Sequence, residues 1–524
     1  MKRKLFLLIT ILTLILSLSS CSLLFGKASL DYTYDEARAD EIRELMVEAE
    51  QYLASGNEYD KYYDAYIDIN MFAYQIITYY QKENIKFAMN GNDESAIKMQ
   101  EFYSLFMEIA NWQTDILVDT YNSNYKDEFF KDWSEKEIQQ IFDSNYPDEY
   151  YTLNTRAQEL TTEYEKLDRA GAIEQAPAYL KELTAIRNQI ANVTGYNDYS
   201  DFSYGNVYGR DYLVSDSVTF TNYVKKYIVP LTYKLADRLA ELEQQLTDSE
   251  YLEIHIELFA NAFDDRKHVD SFVKKIGNPF TYEYNYLTSR GHCYYSNDIN
   301  AMQGAFTTYM YWDGIPAVYF GPGYQDSFTF VHEFGHYYSA ARIDKITGSN
   351  DLAETQSQGN EMLFLAYLMQ YSDFNDIQKE YLETRQLYEA LCVIMISSIV
   401  NEFELKLYPY KDELKPEVID ALCIEVCQGY GGYEKILEKT QYNTLDYYKL
   451  VCVSNPCYYI SYAISLIPSI GIYEMAMNDF NNAKDCYLDL CEVKDMDFLD
   501  ALKTANLYNP FEEAVYIGIS ELLG

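Results

Sequence analysis

Amphipathic segments with a helical period follow one another along the first half of the chain. Apolar residues recur there three and four positions apart, and short Asn, Gly or Asp turns separate the segments. Ser134 and Glu137 have the spacing of a capping box, which marks a helix start. Pro230 is expected to kink or interrupt the last long helix of this region. The pattern predicts helices over residues 34–54, 60–88, 93–122, 134–143, 148–168, 176–194 and 215–246.

The pattern changes after about Gly277. Residues 279–297 are aromatic with alternating polarity, and residues 310–320 form a short β-like run. Glycines and a proline at 321–323 then break the chain before a helix that Asp326 or Ser327 can cap. The strand before this helix either offers a free edge to an extended peptide or is an ordinary sheet edge. Helical patterns resume from residue 352, so the sequence predicts a mainly α fold with a small sheet.

The first twenty residues have the pattern of a signal sequence. A basic start at residues 2–4 precedes the short apolar run 5–18, and Leu18-Ser19-Ser20-Cys21 fits a bacterial lipoprotein cleavage site. We therefore expect residues 1–20 to be removed and Cys21 to be acylated. An uncleaved N-terminal anchor is the alternative, although the apolar run is short for a membrane span. Either arrangement places the rest of the chain outside the cytoplasm, tethered to the bacterial cell membrane.

The remaining chain is long enough for one large domain or two ordinary ones. We divide it into an N-terminal helical region, 21–210, and a second region, 211–524. The net charge of −41 argues against nucleic acid and anionic lipid surfaces as partners, because nothing would neutralise their phosphates. The eight cysteines after Cys21 contain no CxxC pair, so a cysteine metal cluster is not expected. Three close pairs (423/427, 452/457 and 486/491) are either disulfides or buried thiols.

The sequence His332-Glu333-Phe334-Gly335-His336 is the clearest chemical signal in the chain. On a helix, His332 and His336 lie one turn apart on the same face and can bind one zinc ion. Glu333 then lies beside the open coordination position, where it can act as a general base. The alternative is a helix on which two histidines flank a glutamate by chance.

A zinc site of this kind needs a third protein ligand. No histidine follows His336, so a three-histidine site is excluded and a glutamate must serve. Glu354 and Glu361 both lie on the next predicted helix. They are seven residues apart and share a helix face, so spacing leaves both possible.

Several segments together resemble the oligoendopeptidase F branch of the thimet-oligopeptidase-like zinc peptidases. They are RNQIANVTGYNDYSDF (187–202), YGRDY (208–212), QGAFTTYMYWDGIPAVYF (303–320), the H-E-x-x-H helix, ETQSQGNE (354–361) and NPCYYISYAIS (455–465). The likeness covers roughly 187–524 and implies a two-lobed helical zincin-type fold. In such a fold a deep central channel admits short peptides, and the small sheet lies beside the zinc helix.

The resemblance also implies roles for single residues. It makes Glu354 the third zinc ligand, and Glu361 a residue that supports the ligands or the structure. The short connection from His336 to Glu354 keeps Glu361 as an alternative ligand. Tyr462 matches the tyrosine that hydrogen-bonds the oxyanion of the reaction, and Tyr459 a neighbour that contacts substrate. On the strand before the zinc helix, Ala317 and Tyr319 are the expected substrate contacts. The implied protein is a monomeric, zinc-dependent endopeptidase of oligopeptides.

One position departs from the family pattern. Relatives carry a histidine several residues before the tyrosines, where this chain has Val451 and Cys452. A contact to the substrate or transition state is therefore missing or replaced. The alternative to an active peptidase is a peptide-binding lipoprotein of the same fold with little catalysis, and a structural surface lipoprotein is the third possibility.

Overall fold

The computed structural model of the chain describes residues 29–143, 145–298, 300–346, 348–410, 414–494 and 496–524. The predicted signal peptide and Cys21 lie outside these residues. Packing divides the chain into two compact units, each made of two separate stretches. Unit 1 comprises Met1–Asn145 and Ile276–Ile346, and unit 2 comprises Tyr146–Lys275 and Thr347–Gly524. The predicted regions 21–210 and 211–524 are continuous in sequence and stay a prediction.

The first stretch of unit 1 is a set of helices around an aromatic core. Tyr62, Tyr66 and Ile69 are fully buried there, on the apolar face that the helical period predicted. Ser134 accepts from the backbone N–H of Glu137, whose carboxylate accepts from the Ser134 N–H at 2.7 Å, which confirms the capping box. The helices are Glu36–Ser55, Tyr59–Asn90, Asp93–Tyr121, Lys126–Phe129 and Glu135–Asp143.

The second stretch of unit 1 contains helix Phe280–Ser289, three strands, and helix Ser327–Ile343. The strands are β1 (Cys293–Tyr295), β2 (Ala305–Met310) and β3 (Ile315–Phe320), in the order β1-β3-β2. β3 pairs antiparallel with β2 along its whole length and parallel with β1 over its last three residues, Val318–Phe320. The alternating aromatics of 280–289 are therefore helical rather than extended, because Phe280, Tyr284 and Leu287 are buried on one helical face.

β3 is the central strand, so the prediction that it offers a free edge is wrong, as is the alternative of an ordinary edge. Ala317 and Tyr319 are fully buried, and the Tyr319 hydroxyl donates to the carbonyls of Ala88 (2.7 Å) and Met302 (3.0 Å). Side chains alternate along a strand. Ala317 and Tyr319 therefore face helix Tyr59–Asn90, whereas Phe320 on the other face stacks on Phe330 of helix Ser327–Ile343.

The regular elements of unit 2 are all helices, within the residues that the structure describes. Two of its helices, Asn350–Tyr371 and Ile460–Asn478, cross closely at Gly359, where an added Cβ would lie 2.8 Å from Ile472 Cδ1. The other α-helices are Asp148–Glu165, Arg169–Val193, Tyr199–Asn206, Val214–Tyr223, Val229–Gln245, Asp248–Ile254, Lys267–Ile276, Asp376–Leu407, Pro416–Gln428, Tyr433–Thr440, Thr444–Val451, Phe480–Cys491, Phe498–Thr504 and Glu513–Leu523.

The interruption predicted at Pro230 is a π-helical turn over Val224–Ile228, just before helix Val229–Gln245. Proline lacks the N–H that a continuous helix needs, and a π turn absorbs the mismatch in hydrogen bonding. A second π turn covers His255–Phe259.

The eight cysteines after Cys21 are free thiols, and Cys293 and Cys486 alone among them are only half-buried. Among the described helices, Ile460–Asn478 has the length and apolar composition of a membrane span. However, 72% of that window is buried inside the protein, as in the core helix of a globular unit.

Candidate metal centre

Helix Ser327–Ile343 of unit 1 carries the two histidines. Asp326 caps it: one carboxylate oxygen accepts from the N–H groups of Phe328 (2.9 Å) and Thr329 (3.1 Å), and the other accepts from the Thr329 hydroxyl (2.6 Å). The His332 and His336 rings lie 5.0 Å apart between centroids. The helix, its cap and the shared face of the two histidines are therefore as predicted.

His336 has the protonation state that a metal ligand requires. Burial lowers the pKa of its imidazole well below the usual value, and the neighbouring His332 lowers it further. A neutral imidazole keeps a lone pair for a metal ion at neutral pH.

Glu333 is buried beside the sheet, with 5% of its surface exposed. The hydroxyl of Thr307, on β2, lies 2.7 Å from Glu333 Oε2 and 3.1 Å from the Glu333 backbone carbonyl. Thr307 pairs with Val318 and so shares the sheet face that meets this helix. Thr307 was not among the predicted site residues, because only the strand register brings it to Glu333.

Helix Asn350–Tyr371 of unit 2 carries Glu354, which is 5% exposed. The Tyr458 hydroxyl donates to Glu354 Oε1 at 2.9 Å, and Ser357 Oγ lies 3.5 Å from Oε2. A hydrogen bond from a neighbouring side chain is the usual way in which a ligand carboxylate is oriented. Tyr458 was not among the predicted site residues, although it stands beside Tyr459 in the tyrosine motif.

Ligand atoms of His332, His336 and Glu354 all lie within 4.8 Å of one another. Two imidazoles and one carboxylate are a donor set that zinc uses in catalytic sites, so the residues fit the predicted ion. Among the described residues this is the group that could hold a metal, and it contains Glu354 rather than Glu361. Glu361 instead lines a cavity of about 700 Å³ in unit 2, together with Gln358 and Arg385.

We call residues 455–462 the tyrosine loop; Tyr458, Tyr459 and Tyr462 are its aromatic residues. The Tyr462 ring lies 5.3 Å from that of Tyr458 and 5.5 Å from that of Tyr459. Tyr459 and Tyr462 line a cavity of about 260 Å³ in unit 2. Burial, and then the charge of Glu354, raise the pKa of Tyr462 well above its usual value, so its hydroxyl keeps its proton and can donate.

Two buried arginines from the segments that carry the family resemblance hold the tyrosine loop and the residues just before it. Arg187 donates to the carbonyls of Cys452 (3.1 Å) and Val453 (2.5 Å). Arg210 donates to the Cys457 carbonyl (2.8 Å) and to Ser461 Oγ (2.9 Å). These contacts give the RNQ and YGRDY segments a physical role, which spacing alone did not suggest.

The position of the missing histidine lies in the interior of unit 2. Cys452 is fully buried and Val451 is 6% exposed. Burial raises the pKa of the Cys452 thiol well above its usual value, and the nearby Glu404 raises it further, so the thiol stays protonated and is a weak nucleophile. Cys452 therefore does not replace the histidine chemically.

No protein-family model matches the sequence, and a search of curated proteins finds no match either. Solved structures do match. Pz peptidase A, solved with an inhibitor, is 17% identical over 94% of this chain and 98% of its own, with a TM-score of 0.73. A provisionally named oligoendopeptidase F from Bacillus anthracis str. Ames is 17% identical over 95% and 98%, with a TM-score of 0.75.

Metallocarboxypeptidase 1 from Trypanosoma cruzi is 10% identical over 93% of this chain and 99% of its own, with a TM-score of 0.57. At these identities the likeness shows the fold. The chain has the mainly α fold of the oligoendopeptidase F type, with its small sheet beside the histidine helix, which confirms the fold predicted from the sequence.

Proposed function

From the oligoendopeptidase F fold, we propose that the chain is a zinc-dependent endopeptidase of short peptides. The observation that carries the proposal is the His332, His336 and Glu354 group, with the Glu333 carboxylate on the same helix as both histidines. A structural lipoprotein has no need of such a group. The structural neighbours are named as peptidases, which supports the same reaction class.

In this proposal His332, His336 and Glu354 would hold the ion, which would supply the Lewis acidity that peptide hydrolysis needs. Glu333 accepts the proton of the attacking water and delivers it to the departing amine. Thr307 holds the Glu333 carboxylate in place for both transfers.

Tyr462 has the role of hydrogen-bond donor to the oxygen that gains negative charge. Its high pKa supports the assignment, because a phenol that stays protonated can donate throughout the reaction. Loss of one such donor typically costs about 3–4 kcal/mol of activation free energy. Tyr459, on the same cavity, contacts the substrate in this proposal.

β2 replaces β3 as the strand that binds an extended peptide. β2 is an outer strand in the described sheet, and it carries Thr307, the hydrogen-bond partner of Glu333. An extended substrate can add to such an edge through main-chain hydrogen bonds, which bind peptides of many sequences. Ala317 and Tyr319 then support the sheet from its buried interior.

The location of the protein is proposed from the sequence. A signal peptide over residues 1–20 and an acylated Cys21 would tether a monomer to the outer face of the bacterial cell membrane. The expected partners are oligopeptides and the membrane lipid, without nucleic acid.

The test compares the full chain in detergent with Glu333→Gln, measuring zinc content and cleavage of a quenched mixed-peptide library. We expect about one zinc per chain in both proteins and cleavage by the unchanged protein alone. Equal cleavage by the two would exclude Glu333 as the base. Zinc binding without cleavage by either protein would favour the second candidate, a peptide-binding lipoprotein. This candidate is supported by Val451 and Cys452, which stand where relatives carry a histidine.

A further inference from the structure

Arg210 lies at the base of the tyrosine loop with its side chain completely buried. Besides its bonds to the Cys457 carbonyl and Ser461, its Nη2 lies 3.4 Å from the Tyr458 carbonyl. The rings of Tyr204 and Tyr208 lie 4.4 and 4.6 Å from the guanidinium carbon. This planar group is thus fixed by cation–π contacts and aimed at the backbone of the loop.

The same guanidinium contacts the helix that carries Glu354. Arg210 Nε lies 3.8 Å from Oδ2 of Asp351, and neither side chain is exposed. Asp351 is in the first turn of that helix, three residues before Glu354. Residues three apart lie on neighbouring positions of one helix face, so the ion pair is one turn from the ligand carboxylate.

These contacts form a closed ring of interactions between the tyrosine loop and the helix that carries Glu354. Arg210 holds the backbone of Tyr458, the Tyr458 hydroxyl bonds Glu354, and the helix leads from Glu354 back to Asp351 and Arg210. A displacement of the loop against the helix would break either the hydrogen bond to Glu354 or the buried ion pair. Buried charges that lose a partner are costly, so the ring resists such displacement.

We propose that Arg210 is a positioning residue of the metal centre, acting through Tyr458 on the Glu354 carboxylate. The inference rests on the proposed function, because it takes Glu354 as a zinc ligand. It adds two residues to that function, Arg210 and Tyr458, and assigns both to holding the Glu354 carboxylate in place. Partners of this kind typically contribute 10- to 100-fold to metal affinity.

The first experiment measures the zinc dissociation constant of the full chain by competition with a chromophoric chelator. Tyr458→Phe removes one hydroxyl and should raise the constant about 10- to 100-fold. Tyr459→Phe is the matched control, because it removes the same hydroxyl from the neighbouring tyrosine, whose ring lies 6.0 Å from that of Tyr458, and it should leave the constant within about threefold.

The second experiment tests Arg210 with Arg210→Lys, and with Asp351→Asn in case the lysine variant does not fold. Each should weaken zinc binding, and Arg210→Lys combined with Tyr458→Phe should weaken it less than the product of the single effects, because both act on one carboxylate. Arg187→Lys is the control: it changes the other buried arginine near the loop, which hydrogen-bonds Cys452, Val453 and Tyr408.

The outcomes separate the two proposals. If the unchanged protein binds no zinc, the proposed function fails, and this inference fails with it. If the unchanged protein binds zinc and Tyr458→Phe binds it equally well, the inference alone is overturned. Equal weakening by Arg187→Lys and Arg210→Lys would also overturn it, because the effect would then be general loosening of the loop.

Discussion

Thr307→Val tests whether the hydroxyl on β2 sets the position of Glu333. Valine replaces the hydroxyl with a methyl group of similar size and keeps the branched Cβ that strands favour. The lost contact is a 2.7 Å hydrogen bond to a buried carboxylate. Hydrogen bonds to charged groups contribute about 1.5–3 kcal/mol, which corresponds to roughly a 10- to 150-fold lower kcat.

The assay is steady-state cleavage of one quenched peptide, with zinc content measured on the same preparations. Thr307→Ser keeps the hydroxyl and should retain kcat within about fivefold. Thr307→Val should lower kcat and leave KM nearly unchanged. A large rise in KM at constant kcat would instead mean that Thr307 binds substrate at the strand edge. Equal kcat in the valine and serine variants would refute the reasoning, because no hydroxyl would then be needed.

Three further predictions concern other residues. Glu354→Gln should lose most bound zinc, whereas Glu361→Gln should keep it, as metal analysis after dialysis will show. Burial raises the pKa of Glu404 to about 8. The hydrogen bond from the Cys457 N–H and the charges of Arg187 and Arg210 lower this pKa, but their effect is smaller. The folded state then holds this proton to higher pH than the unfolded chain, so stability falls as pH rises from about 4.5 to 8. Urea titrations at pH 6 and pH 9 give the loss in free energy of unfolding between the two. That loss should be about 3 kcal/mol smaller for Glu404→Gln than for the unchanged protein. Gly471→Ala would place a Cβ 2.9 Å from the rigid Tyr508 ring and should lower stability by about 1–3 kcal/mol. At Gly359 an added Cβ would be crowded by the flexible end of the Ile472 side chain, at 2.8 Å, and would be in ordinary contact with Tyr487, at 3.6 Å. Gly359→Ala should therefore lower stability less than Gly471→Ala in the same titration.

The helices of the first half were predictable where one stripe of the sequence is buried, as in Glu36–Ser55, whose buried residues are Ala39, Ile42, Met46, Ala49 and Leu53. The run 60–88 predicted helix Tyr59–Asn90 to within two residues, and the capping box at Ser134 marked a true start. Where two periods fit the same residues, the prediction failed. Aromatics at 280, 282, 284 and 286 alternate like a strand, yet Tyr282 is 51% exposed and Phe280 and Tyr284 are buried on one helical side.

The candidate site was predictable where its residues are close in sequence. His332, Glu333 and His336 follow from one helical turn, and Glu354 from the register of a resembling motif. Thr307, Tyr458 and Arg210 reach their partners through strand pairing or contacts across many residues, for which spacing gives no signal. The burial of Ala317 and Tyr319 was not predictable for the same reason, because the sequence does not show that β3 has a neighbour on both sides.

The interleaved units have a consequence for how the protein is made. During synthesis, the helices between residues 36 and 121 leave the ribosome well before β2 and β3, whose residues cover Ile85 and Ala88. Residues 146–275, which belong to unit 2, come between. At 5–20 residues per second, these 130 residues delay the strands by roughly 7 to 26 s. The apolar end of helix Tyr59–Asn90 has no strand to cover it for that time, so this surface is the part of unit 1 most exposed to aggregation during synthesis.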